Sequence, residues 1–216
     1  MPKEKVLIIG AGAHAGVILD ILSYDKNKEV IGFTDSNKDM KGKKIHGLPV
    51  LGDDSILENK EARKKFDSVI IGLGGDLAQV RKKIYEKIKM LGLKLTTAIH
   101  PRVTIAKSVK IGDGTAVMAG AIINPYTKIG ENCVVNTGAV VDHDNVLEEG
   151  AFIQPGANLA GTVTVKKNAV VGIGATVLDR RTVGENSIVG AGAVVTKDVE
   201  KNKVVVGIPA KPTRDN

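Results

Sequence analysis

His143 stands between two carboxylates in the segment Val140-Val-Asp-His-Asp-Asn145, and no other histidine occurs between residues 101 and 216. An imidazole exchanges its proton near neutrality, and a flanking carboxylate orients the ring and raises its basicity. Asp142 and Asp144 are both placed to do so, and the sequence does not choose between them. Gly161 follows eighteen residues later. If the chain completes one coil in eighteen residues, with neighbouring strands about 4.8 Å apart, Gly161 lies beside His143. Its bare backbone N–H would then serve as an oxyanion donor. A base and an oxyanion donor side by side are what acyl transfer requires.

A second set of chemistry-bearing residues lies near the N-terminus. Gly10-Ala-Gly-Ala-His-Ala-Gly16 follows an apolar run and precedes a helical pattern. Glycines Gly10 and Gly12 let backbone N–H groups approach phosphate at a helix N-terminus. The spacing departs by one residue from the dinucleotide fingerprint, which weakens a dinucleotide reading. His14 sits inside this turn, and Asp35 ends the next strand at a distance suited to a ribose hydroxyl. Both are expected to touch substrate. Gly72 and Gly74 end a third strand and widen the same crevice.

The elements that must position these residues follow two different grammars. Residues 1–100 alternate apolar runs with helical patterns. Strands are expected at 5–9, 30–33, 68–71 and 95–99, with helices at 17–24, 55–66 and 76–91 and a loop over 47–52. Such alternation predicts an α/β, Rossmann-like domain with ligands at the carboxyl ends of parallel strands. From Ile105 to Val195, every sixth residue is Ile, Leu or Val without a gap. A period of six fits neither a strand nor a helix. It fits a hexapeptide-repeat parallel β-helix, three hexads to a coil, over 101–216. Two residues before each aliphatic the chain is usually small, and the residue before that is often Gly or Asn, types that tolerate positive φ at a corner. A β-sandwich does not keep so strict a period.

Composition narrows the function classes. The chain has 216 residues, a net charge of +7 and a pI near 9.4. Residues 1–100 carry 18 Lys/Arg against 13 Asp/Glu, and the remainder 13 against 11. The lysines are scattered and aromatics make up 3% of the chain, so nucleic-acid binding is not expected. A mild positive bias suits anionic nucleotides. No run of 18 apolar residues occurs, so no membrane partner is expected. The single Cys133 sits at a small-residue corner and reads as packing. No His/Cys cluster has metal-ligand spacing, so no metal is expected. One cysteine and no secretion pattern point to the cytoplasm.

The hexads resemble the left-handed β-helix acyltransferases. GAGAHAG, the Asp-His-Asp of 142–144, Ala160-Gly-Thr-Val163 and Gly207-Ile-Pro-Ala-Lys211 together resemble the PglD/NeuD-type sugar O- and N-acetyltransferases. That resemblance implies a left-handed coil, a homotrimer with sites at subunit interfaces, acetyl-CoA as co-substrate along the β-helix, and a nucleotide-sugar substrate in the N-terminal domain. It implies that His143 is the base, with Asp144 where the family commonly has a longer Glu. It implies a site role for Asn136, and pantetheine contacts from Gly161, Ile173, Gly190 and Ala191. It matches His14 and Asp35 to nucleotide-sugar contacts, and puts His100 near the same crevice. The expected activity is N-acetylation of a nucleotide-linked amino sugar, a UDP-sugar in the first instance, for bacterial glycan synthesis. The alternatives are sialic-acid O-acetylation, a silent trimeric scaffold that only binds the sugar nucleotide, and an NAD-dependent oxidoreductase, which leaves the β-helix unexplained.

Overall fold

In a computed structural model, residues 2–216 are described, and the chain forms two compact units, Met1–Ala98 and Ile99–Asn216. The first unit is a five-stranded sheet flanked by helices. Strands β1 (Glu4–Ile9), β2 (Lys28–Thr34), β3 (Lys44–Ile45), β4 (Leu48–Gly52) and β5 (Ser68–Ile71) lie in the order β3-β4-β2-β1-β5. All pair in parallel except β3, which forms a hairpin with β4. Val6–Ile9 of the interior strand β1 are fully buried, as expected where both faces of a parallel sheet are covered. Helix α1 (Ala13–Ser23) follows β1, and α3 (Ala78–Met90) follows β5. The core of this unit gathers Leu7, Ile9, Val69 and Ile71 against Leu57, Ile84 and Ile88.

Three expectations fail locally. The span 95–99 is not one strand of this sheet: Leu95 makes a single isolated bridge to Val69, and the two-residue strand Ala98–Ile99 belongs to a β-helix sheet. The span 47–52 is strand β4, not a loop. Parallel pairing to β2 begins only at Val50, and Val50 N makes the hairpin bond to Lys43 O, so Pro49 precedes the ladder that its missing N–H would interrupt. The span 55–66 is not one helix. Asn59 accepts from the backbone N–H groups of Glu61 and Ala62. That cap separates a 3-10 turn, Asp54–Leu57, from the short α2 (Lys60–Arg63).

The second unit is the left-handed parallel β-helix. Two-residue strands recur every six residues and pair eighteen residues apart, Ile123 with Val141 and Val141 with Leu159 on one face. The sixth-residue aliphatics from Val117 to Val195 are buried, and Ile105 and Ile111 of the first coil are half-buried against them. Each buried aliphatic contributes about 1.5–3 kcal/mol. Between strands the chain turns with φ between +54° and +74°, at Gly or Asn on two of the three edges. The third edge uses Tyr126, Asp144, Thr162 and Arg180. Left-handed backbone costs such residues about 1–2 kcal/mol each, which one inward aliphatic of the same coil offsets. Beyond the repeat, Lys203–Val206 extends one face in parallel and Lys211–Asp215 folds back antiparallel upon it.

Outward position does not mean exposure here. Val134 and Val170 stand on the outer side of the repeat, yet they are 1% and 5% exposed, and Val140 is half-buried. Val134 and Val170 share a row with Ala116 and Phe152, which are also buried. An outward row that is apolar along its length is a packing surface, whatever its alternation suggests.

Candidate active site

The β-helix site is built on the edge with the unusual corners. Inward Val141 anchors the strand that delivers Asp142, His143 and Asp144. The two carboxylates divide the work. Asp144 Oδ2 lies 2.8 Å from His143 Nδ1. Its left-handed backbone, φ 57°, accompanies a carboxylate turned onto the preceding ring. The shorter acid therefore reaches where a Glu was the commoner expectation. Asp142 Oδ1 accepts instead from the His143 backbone N–H and from Asn124 Nδ2, each at 2.8 Å. These bonds hold the Asp142 carboxyl below its ordinary pKa, the Asn124 amide contributing most. The hydrogen bond that His143 donates to the Asp144 carboxylate raises the pKa of the ring above its usual value, against an opposing desolvation.

Gly161 faces the other ring nitrogen. A Cβ built on it would come within 2.6 Å of His143 Nε2, so only glycine leaves that side open. The flanking amides are committed, Ala160 N to Val177 O and Thr162 N to His143 O. The Gly161 N–H has no acceptor among the described residues. The corner is therefore an imidazole with one nitrogen fixed and one open, beside an unused backbone donor. It can take a proton and stabilise an adjacent oxyanion.

Asn145 locks this corner and was not singled out by the sequence. It is fully buried at a corner where the coils on either side carry Thr127 and Val163. Its Nδ2 donates to Asp142 O at 2.6 Å and to Ala160 O at 3.1 Å, and its Oδ1 accepts from Val163 N at 2.6 Å. The break in the small-residue column was the available signal.

The other β-helix candidates border the same face as His143. Asn136 is half-buried, and its Oδ1 accepts from Thr137 N. Ile173 and Ala191 occupy the same corner position in successive coils, both exposed, with Ile173 at 59%. Gly190 has a packing reason, since a Cβ there would meet Val206 Cγ1 at 2.7 Å. His100 is buried in this second unit, and its Nδ1 accepts the Arg102 N–H.

In the first unit, Gly10, Gly12 and Asp35 line one cavity of about 280 Å³ at the carboxyl ends of the strands. Gly10 needs its φ of 101°, and a Cβ on it would meet Leu73. Gly12 caps α1 with open space around it. Gly72 is explained by packing, since a Cβ would press on Ile8 and Ala15, and Gly74 opens a 3-10 turn beneath Asp76. His14 is half-buried in the first turn of α1. Burial, aided by the Arg81 guanidinium, lowers its pKa to about 4. The ring is thus neutral at pH 7 and offers hydrogen bonds, not charge. Sequence reasoning missed Asp54 in this lining, because 47–52 had read as a loop leading into a helix, and missed Leu77 and Val80, because apolar positions of a helical pattern read as core. Among the described residues no three His, Cys, Asp or Glu side chains gather as a metal site, and no helix is long and apolar enough to cross a membrane.

Comparison with known proteins gives a consistent result. Residues 5–88 match the PglD N-terminal domain, and residues 108–143 match the bacterial transferase hexapeptide repeat. The acetyltransferase domain of PglB from Neisseria gonorrhoeae superposes with a TM-score of 0.90 at 34% identity, covering 98% of this chain and 100% of that one. The same domain has been solved with acetyl coenzyme A, at TM-score 0.88 and 33% identity, covering 98% and 100%. PerB from Caulobacter crescentus, in complex with CoA and GDP-perosamine, superposes with a TM-score of 0.89 at 37% identity, covering 97% of each chain.

Proposed function

The chain belongs to the left-handed β-helix sugar acetyltransferases that carry a PglD-type N-terminal domain, and from that membership we propose that it N-acetylates a nucleotide-linked amino sugar. It is an acetyl-CoA-dependent enzyme, which removes the scaffold and oxidoreductase readings. The observation that carries the finer reading is the His143 ring, with Nδ1 on Asp144 and Nε2 over the bare Gly161.

In the proposed reaction the sugar amine attacks the thioester carbonyl carbon directly. A C–N bond forms and the C–S bond breaks. His143 Nε2 takes the amine proton and returns it to the departing sulfur, giving the amide and free CoA thiol. Asp144 steadies the imidazolium, and the Gly161 N–H meets the oxyanion. The first unit binds the sugar nucleotide through the Gly10–Gly12 turn and Asp35, with His14 as a neutral polar contact. Residues 101–216 hold acetyl-CoA along the face bordered by Gly161, Ile173, Gly190 and Ala191, and three chains assemble so that Asn136 completes a neighbour's site. PerB, bound to CoA and GDP-perosamine, supports an amino sugar on a nucleoside diphosphate.

A panel of nucleotide amino sugars offered with acetyl-CoA, read by thiol release and product mass, tests this. An acceptor gaining one acetyl group on nitrogen is expected. Acetylation of sialic-acid hydroxyls alone would overturn the amine assignment.

A further inference from the structure

The cavity in the first unit has a chemistry that selects among bases. Its polar side chains are Asp35, Ser36 and Asp54, and no Lys, Arg, Asn or Gln lines it. Asp35 Oδ1 accepts from Asn37 N at 2.8 Å. Asp54 Oδ1 accepts from the buried Thr34 hydroxyl at 2.5 Å, which pins its carboxylate over the end of β2. Lys87 reaches Asp54 only at its backbone carbonyl and pairs with Glu58. Neither Oδ2 of the two acids accepts a bond from any described residue. Opposite them stand Leu77, at the N-cap of α3, and Val80 within it, 41% and 44% exposed, beside Ile84. The occupant must therefore bring a flat apolar face and several hydrogen-bond donors to two carboxylates.

A ribose diol meets one acid. The second must meet the base. Uracil and thymine present one N–H between two carbonyl oxygens, which a carboxylate repels. Adenine and cytosine place an amino group beside a ring nitrogen acceptor. Guanine alone offers N1–H and the 2-amino group side by side, both donating toward a carboxylate. We infer that the base is guanine, not the uridine expected from sequence, and that Asp54 is the residue that reads it. This rests on the proposed function above, in which this cavity receives the nucleotide.

Calorimetric titration of the full chain with GDP, IDP and UDP tests it, since IDP lacks only the 2-amino group. GDP is expected to bind at least about tenfold more tightly than UDP, and several-fold to tenfold more tightly than IDP, because a site built for a donor rejects the analogue without it. Asp54→Ala should bring GDP and IDP within about twofold while UDP affinity holds, a ratio that mere loosening of the pocket would not change. UDP binding as well as GDP in the unaltered protein overturns the inference without needing any variant. So does a GDP-to-IDP gap that survives Asp54→Ala. Binding of none of the three would instead remove the nucleotide reading of the cavity, and this inference with it.

Discussion

Replacing His143 by alanine removes a side chain that is 55% exposed and fills no core position. The coil should therefore survive while turnover falls by roughly 10²–10⁴-fold, the usual worth of a positioned base. Circular dichroism together with steady-state kinetics checks both halves. The base works when neutral, so activity should rise with pH through the ring's pKa. The Asp144 hydrogen bond lifts that pKa, so the limb belongs above the ordinary His value of about 6.5. Asp144→Asn removes the cause and should move the limb toward acid in a pH–rate profile. Gly161→Ala is the more discriminating change. Its backbone is not left-handed, yet the new methyl group would meet Nε2. Turnover should fall by about 10²-fold, as for a reacting group displaced by roughly 1 Å, with the urea midpoint unchanged. Equal activity in that variant would mean that the ring has room the structure denies it.

The elements that hold these residues differ in how plainly the sequence announces them. The hexads were legible because six residues per side is an integer period that local chemistry repeats at each corner. His143 and Gly161 followed from it, being one coil apart. What failed depended on side chains acting out of pattern. Asn59 cut a helix by capping it, Pro49 disguised a strand whose pairing its missing N–H does not break, and so Asp54, in the 3-10 turn just after β4, went unseen. Asn145 was hidden differently, since its value lies in three backbone partners drawn from two coils. Asn145→Ala leaves those groups buried without replacements and should cost about 2–4 kcal/mol in denaturant unfolding. Asn145→Ser should recover little, because the hydroxyl cannot span both coils.

At the scale of the whole molecule, exposed apolar side chains remain on and beside the face that carries His143. Ile122, Ile173 and Leu178 are 37%, 59% and 39% exposed. The proposed trimer and co-substrate would cover such a surface. Light scattering at micromolar concentration should give about three times the 22.7 kDa chain mass, and a stable, active monomer would remove the interfacial site. The coil also sets a rule for how such a chain can change over generations. An outward side chain that stays exposed can be respelled without moving its neighbours, but length is not free. One residue inserted between His143 and Gly161, unless bulged out at a corner, brings Ala160 opposite the imidazole and turns every later aliphatic to the wrong side. Descendants of this sequence can differ widely in letters, yet their tally of residues through the repeat is expected to grow or shrink by whole coils of eighteen.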